Sequence, residues 1–178
     1  NNFNNNSIYY SMITIHAFMM IFFMTMPIII GSFSNWLIPM MIFSSDLIYP
    51  RMNNLSFWLL VPSLILMIIS LIINNNINTG WTMYPPLSIQ NNISMNFIIF
   101  SLHINGISSI LSSMNFMISI IFMKPNMFMM NKISLFCWSI IITSILLILS
   151  IPVLASAITM IILDHNFSTM FFNPMGNG

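Results

Sequence analysis

SMITIHAFMMIFFMTMPIIIG, from Ser11 to Gly31, is a long apolar run that carries one histidine, His16. A helix that crosses a lipid bilayer needs roughly 20 predominantly apolar residues, and this run meets that length. An ionisable side chain inside such a helix is costly, so it is a functional candidate by default. The run therefore predicts a membrane-spanning helix and makes His16 a residue that needs a partner.

The composition of the whole chain also indicates a membrane protein. Hydrophobic residues make up 58% of its 178 residues and charged residues only 3%, whereas a soluble surface needs about a quarter of its residues charged. Three Lys and Arg against two Asp and Glu form no basic patch, which excludes nucleic acid binding. Cys137 is the single cysteine, so a disulfide and a CxxC metal site are excluded.

The amino-acid usage bears on the source of the chain. It holds 20 Met and 16 Phe against 5 Gly, together with many Asn and Ile. This bias indicates an AT-rich coding sequence, for which a mitochondrial genome is a plausible source. The chain begins with Asn1 and shows no signal peptide, so we expect it to be an internal piece of a longer protein.

Four apolar runs predict an all-α integral membrane fold with four transmembrane helices. They cover about residues 8–31, 55–73, 96–123 and 133–163. Pro152 should kink the last helix without breaking it, because lipid tolerates only a backbone that bonds internally. Arg51 lies in the first connector, and Lys124 and Lys132 lie in the third. Both connectors are therefore predicted to face the side from which the protein inserts.

His16 leaves two interpretations open. On a helix of 3.6 residues per turn, Tyr9, Met20 and Phe23 share its face, which is an aromatic and thioether strip. One interpretation is a histidine that is hydrogen-bonded to a neighbouring helix. The other is an axial ligand to a flat apolar cofactor such as haem, because a neutral imidazole ligates iron and a helix bundle can enclose the ring.

The third run carries a row of polar residues, here called the polar stripe. The stripe recurs at spacings of four, three, four and three, so its members project from one helical face: Ser101, Asn105, Ser108, Ser112 and Asn115. Ser109 borders it. Small polar residues on a membrane helix usually pack against a neighbouring helix. The alternative is a file of ordered water along which a proton hops. His103 points away from the stripe and is interpreted as an ordinary packed or interfacial histidine.

Asp46 is the only carboxylate predicted on the inner side. It lies in SSDLIYPRMNN near Arg51, and a surface ion pair between them would contribute only about 0–1 kcal/mol. A single acid at the mouth of a polar file would instead collect protons from water. Asn35 and Asn53 lie nearby in the sequence and offer amides that hold water but carry no charge.

Five short motifs occur in one order along the chain: HAF at 16–18, PRMNN at 50–54, FWLL at 57–60, GWTMYPPL at 80–87 and FSLH at 100–103. Together they resemble the cytochrome c oxidase subunit I family, the catalytic subunits of the haem-copper oxidases. The resemblance covers nearly the full chain. It implies about a third of such a subunit, corresponding to the second through fifth helices of a twelve-helix bundle.

The resemblance implies a haem site. The histidine of the HAF motif is an axial ligand of the low-spin haem a in this family, which assigns that role to His16. Tyr9 and Trp81 match positions near the propionate edge of the same haem. The second axial histidine, the ligands of haem a3 and the copper ligands are expected on later helices, beyond Gly178.

The resemblance also implies a proton path. The aspartate before PRMNN is the mouth of a proton-uptake channel in the family, which makes Asp46 the entry. Polar positions farther along that channel match Asn35, Asn53, Ser56, Ser108, Ser109 and Asn115. The implied function is that of the subunit of cytochrome c oxidase that reduces oxygen with electrons from cytochrome c and pumps protons. Subunits II and III would be its partners in the mitochondrial inner membrane, and the fragment alone would be inactive.

Several positions depart from the family pattern. Ser32 and Ser34 stand where glycines are usual, Asn96 where an aspartate is customary, and His165 and Asn173 where an arginine and an aspartate occur. A rival from another class is a noncatalytic or proton-channel subunit of another respiratory complex. Such subunits need lysine or glutamate in mid-membrane, and no predicted span has one. A purely structural helical bundle, which would bind no haem, is the other alternative.

Overall fold

The computed structural model describes residues 2–73, 77, 79–89, 93–125 and 132–172, and these residues form helices and connectors without a strand. The α-helices are α1 (Asn2–Phe18), α2 (Ser34–Ile42), α3 (Pro50–Ile73), α4 (Ile93–Phe122) and α5 (Leu135–Phe167). Two π-helical segments, Met19–Thr25 and Pro27–Phe33, join α1 to α2 in one continuous helix, here called the first rod. A short 3₁₀ turn, Leu87–Ile89, lies between α3 and α4.

The described residues contain four helices that are long and apolar enough to cross a membrane. They are Ser7–Ile42, Pro50–Ile73, Ile93–Phe122 and Leu135–Phe167. The predicted all-α fold with four transmembrane helices is confirmed.

The first rod continues to Ile42, beyond the end predicted at Gly31. Two serines beyond the predicted end satisfy their hydroxyls inside the helix. Ser32 Oγ donates to the carbonyl of Pro27 at 3.4 Å, and Ser34 Oγ donates to that of Ile29 at 3.3 Å. Both acceptors lie five residues earlier, the spacing of a π-helix.

The other helices differ from their predicted bounds by smaller amounts. Helix α3 begins at Pro50, a residue that suits a first helical position because the N–H there has no partner in any case. Helix α5 begins after Ser134, whose Oγ accepts from the N–H of Cys137 at 3.4 Å. It passes Pro152 without a break, and Cys137 is buried and free.

Helix α4 lies between α3 and α5 and makes the most extensive contacts with both. Ser101 Oγ donates to the carbonyl of Ser63 at 2.7 Å, and Ser108 Oγ donates to that of Ser56 at 2.6 Å. Because the later residue on α4 pairs with the earlier residue on α3, the two helices are antiparallel.

The core has two apolar clusters. One contains Ile15, Phe18, Met67, Ile98, Ile99, Leu102 and Ile158, among others. The second contains Ile38, Ile42, Leu47, Phe116, Ile120, Cys137 and Ile140, among others. Along α4, the first cluster ends at Leu102 and the second begins at Phe116. Between them Asn105, Ser108 and Asn115 are buried, so a polar layer separates the two clusters.

Side-chain hydrogen bonds hold the bundle together at both of its ends. At one end, Asn115 bonds to the backbone of Tyr49, with Oδ1 accepting at 3.2 Å and Nδ2 donating at 3.2 Å. Ser119 Oγ accepts from the N–H of Ile48 at 3.2 Å. At the other end, the side-chain amides of Asn96 and Asn166 join the start of α4 to the end of α5, at 3.0 and 3.4 Å.

Asp164 folds the segment after α5 back onto the bundle. Its carboxylate accepts from the hydroxyl of Thr169, from the N–H of Phe171 at 3.1 Å and from the N–H of Phe172 at 2.8 Å. The side chain is buried in spite of its charge. Three donors offset the cost of burying a carboxylate, which is the usual condition for such a group inside a protein.

Candidate functional site

A cavity of about 170 Å³, here called the polar cavity because amides and hydroxyls form part of its otherwise apolar wall, lies between the first rod, α3 and α4, with one contact from α5. Its wall includes most of the residues predicted for the proton path: Asn35, Asn53, Ser56, Ser108 and Ser109. These residues come from three helices and are far apart in the sequence. The fold therefore brings together side chains that only the family resemblance had connected.

Three serines of the cavity wall donate their hydroxyl hydrogens to backbone carbonyls. Ser108 Oγ donates to the carbonyl of Ser56, Ser109 Oγ to that of Asn105 at 2.9 Å, and Ser112 Oγ to that of Ser108 at 3.0 Å. A hydroxyl has one hydrogen and two lone pairs. Because the hydrogen is already engaged with backbone, each hydroxyl oxygen can act toward a further partner only as an acceptor.

Asn35 belongs to the cavity wall and carries an unsatisfied acceptor. Its Oδ1 is buried and has no hydrogen-bond partner among the described residues. An unpaired buried carbonyl oxygen is costly unless a donor reaches it. A water needs a space of about 10–15 Å³ and two to four polar partners. The cavity meets both conditions, so its chemistry fits ordered water.

Asp46 and Asn115 do not line this cavity. Asp46 is exposed on the connector between α2 and α3, where its Oδ1 accepts from the N–H of Leu47 at 2.8 Å. Asn115 is buried, and its amide bonds to Tyr49 on the same connector. The contacts of Asn115 are those of an anchor that holds the segment carrying Asp46 against α4.

His16 lies on an exposed face of α1. Tyr9 and Met20 on the same face are 63% and 42% exposed, whereas Phe23 packs partly against the first apolar cluster. Within the part of the chain that the structure describes, no hydrogen bond reaches the His16 imidazole. An unbonded imidazole among apolar side chains fits one face of a flat apolar ring, with both ring nitrogens available for ligation.

The two aromatic residues predicted near the haem have different surroundings. The ring of Tyr9 packs edge-on against Tyr10, with 5.8 Å between centroids. Trp81 lines an apolar cavity of about 420 Å³ together with Phe18 and Phe22. Neither Tyr9 nor His16 lines that cavity. Trp81 therefore lies beside the first rod, but among the described residues it does not share a cavity with His16.

His103 lies beside the polar cavity. Its Nδ1 is 2.8 Å from the carbonyl of Ile99, which makes Nδ1 the donor, and its buried Nε2 has no partner among the described residues. It lines a small, mostly apolar cavity of about 90 Å³ that shares Met26 and Ser109 with the polar cavity. Its place outside the polar stripe agrees with the sequence pattern.

Three polar residues of the cavity wall were absent from the proton path that the family resemblance implied: Ser32, Asn105 and Ser112. The spacing of the polar stripe identified Asn105 and Ser112, because they share a face with Ser108. No sequence signal pointed to Ser32. No three His, Cys, Asp or Glu side chains come close enough to hold a metal ion in the described ranges.

Comparison with known proteins gives consistent matches along the chain. A family profile described as "Cytochrome C and Quinol oxidase polypeptide I" matches residues 1–178. Cytochrome c oxidase subunit 1 of Eremothecium gossypii is 43% identical over 176 residues, which cover 97% of this chain and 33% of that protein. The proteins of the same name from Pecten maximus and Yarrowia lipolytica are 44% and 45% identical, over 98% of this chain and 37% and 33% of their own lengths. The chain spans about a third of the length of these curated relatives.

Proposed function

Because the chain belongs to the cytochrome c and quinol oxidase polypeptide I family, we propose that it forms part of the catalytic subunit of a proton-translocating cytochrome c oxidase. In the complete subunit, oxygen is reduced to water with electrons from cytochrome c, and protons are moved across the mitochondrial inner membrane. The chain contributes one ligand of haem a and the lower part of a proton-uptake path. Subunits II and III and the lipid bilayer surround it.

The polar cavity is the observation that carries this proposal. It places amides and hydroxyls from the first rod, α3 and α4 around one space, where the residues between the two apolar clusters are buried. A cavity whose wall carries amides and hydroxyls accommodates ordered water, and a file of hydrogen-bonded waters transfers a proton by successive hops. Asn35 and Asn53 orient the water without trapping the proton, because an amide does not ionise at ordinary pH.

Asp46 is proposed as the group that collects protons for this path. It is exposed on its connector, and a carboxylate exchanges protons with bulk water. Asn115 and Ser119 fix that connector to α4 through the backbone of Tyr49 and Ile48. The polar stripe therefore has two parts in this proposal. Asn105, Ser108 and Ser112 line the water cavity, and Asn115 holds the entrance.

His16 is proposed as the haem a ligand. When bound, haem a supplies one-electron redox chemistry to the subunit. The neutral imidazole of His16 would hold the iron through one ring nitrogen, and Met20 and Tyr9 would contact the ring from the same helix face. The exposed, unbonded imidazole supports this assignment. Haem a3 and copper belong to the haem-copper oxidases in general, and their ligands are proposed to lie in the remaining two thirds of such a subunit.

Filling the polar cavity tests the proposal. In the complete subunit within its assembled complex, Ser109→Leu should occupy space now open to water and slow proton uptake at least tenfold, while the haem spectrum stays unchanged. Ser139→Leu is the matched control, because Ser139 is exposed on α5 and lies outside the cavity wall. Proton uptake is measured with a pH-sensitive dye after rapid reduction. Equal uptake rates in the two variants would contradict a path through this cavity.

A further inference from the structure

Pro27 interrupts the hydrogen bonding of the first rod where the two π-helical segments meet. In a π-helix each N–H donates to the carbonyl five residues earlier. The N–H of Met26 follows this pattern and donates to the carbonyl of Ile21. The next donor in the series would be residue 27, with the carbonyl of Phe22 as its acceptor. Proline has no N–H, so that carbonyl loses its donor.

A side chain from another helix supplies the missing donor. Asn105 Nδ2 on α4 donates to the carbonyl of Phe22 at 3.0 Å. The Asn105 side chain is only 1% exposed, so it is held in place by its surroundings. Proline is tolerated in membrane helices where neighbouring helices satisfy the carbonyls that it leaves free. The Asn105–Phe22 bond is such a case, and its acceptor is the one that the proline leaves without a donor.

We propose that Asn105 is a positioning residue that holds the first rod in its π-helical form. Phe22 lies between the two functional positions of that rod, six residues after His16 and thirteen before Asn35. The π-form sets the rotation of one position relative to the other, because it changes the number of residues per turn. One hydrogen bond from α4 thus fixes both the haem-ligand face and the cavity wall. Only the measurement of the haem absorption band rests on the proposed function, and the measurement of thermal unfolding does not.

The test is a double-mutant cycle in the complete subunit within its assembled complex. Asn105→Leu keeps the branched shape of the side chain and removes the donor. Pro27→Ala restores a backbone N–H that can reach the carbonyl of Phe22 in the π-form, or that of Phe23 in an α-form. We expect Asn105→Leu alone to lower the midpoint of thermal unfolding by several degrees and to shift the absorption band of the low-spin haem. Combined with Pro27→Ala, the same substitution should produce less than half of either effect.

Ser101→Ala is the control for general loss of a buried hydrogen bond. Ser101 also donates from α4 to a neighbouring carbonyl, that of Ser63 on α3, which has no link to Pro27. Its effect on the unfolding midpoint should be the same with and without Pro27→Ala. Equal losses for Asn105→Leu in both backgrounds would overturn the inference and leave Asn105 as a packing residue. If Pro27→Ala suppresses the loss in the unfolding midpoint but the haem band moves in no variant, the positioning of the rod is supported. The same result would count against His16 as the haem ligand.

Discussion

At the scale of single residues, the three histidines show how environment separates roles that the sequence leaves open. His16 is exposed and unbonded to the described residues, His103 bonds to the carbonyl of Ile99 in its own helix, and His165 contacts the amide of Asn166 at the end of α5. Helical spacing predicted the face of His16. It could not predict which histidine would bond within the protein, because that depends on backbone carbonyls of the folded helix.

Replacing His16 distinguishes a haem ligand from a histidine that only packs against its neighbours. In the complete subunit, His16→Ala should abolish the six-coordinate low-spin signal, because one axial nitrogen is lost. His16→Met should retain a ligand and raise the reduction potential, as thioether ligation does. His103→Ala is the control and should keep the signal. Absorption and electron paramagnetic resonance spectra give the readout, and an intact bis-histidine signal in His16→Ala would remove His16 from the haem site.

Asn115 shows that predicting the helical face of a residue correctly does not establish what its side chain does. The spacing placed it in the polar stripe, but its amide bonds to the backbone of Tyr49 and it does not line the cavity. Asn115→Leu should leave two backbone groups without partners and destabilise the connector by about 1–3 kcal/mol. Faster proteolysis of residues 43–49 in membranes would show this. A cleavage rate equal to that of Ser113→Ala, a buried control whose hydroxyl bonds within α4, would argue against the anchor.

At the scale of helices and connectors, the lengths of the apolar runs predicted the number of membrane spans, because the thickness of the hydrocarbon layer sets the length that each span needs. The bounds were less predictable. Ser32 and Ser34 lie beyond the span end predicted at Gly31, yet their hydroxyls bond back to the helix and the first rod continues to Ile42. The π-helical segments were not predicted either. The bond from Asn105 that accompanies them comes from a helix more than 70 residues away in sequence.

The connectors should alternate between the two sides of the membrane. Ser45→Cys in the first connector should react with an impermeant thiol reagent from the matrix side, and Tyr84→Cys in the second connector from the opposite side. Both positions are exposed, and the native thiol of Cys137 is buried, so background labelling should be low. Labelling of both variants from one side would contradict the predicted topology, which follows from Arg51, Lys124 and Lys132.

At the scale of the whole molecule, the family resemblance carried by five motifs is confirmed, since the family profile matches all 178 residues. The sequence predicted which residues belong to one path, but only the fold shows that five of them share a cavity and that Asp46 stands apart from it. The chain spans about a third of its relatives. The proposed function therefore depends on Asp46 and the polar cavity serving a single route for protons in the complete subunit.

Proton uptake by a double variant tests that dependence most directly. Asp46→Asn should slow uptake with little change in the haem spectrum, because the amide keeps the geometry but cannot exchange a proton. If Asp46 and the cavity lie on one route, uptake in Asp46→Asn combined with Ser109→Leu should match the slower of the two single variants. Unchanged uptake in Asp46→Asn, or a double variant far slower than either single one, would contradict a single path from Asp46 through the cavity.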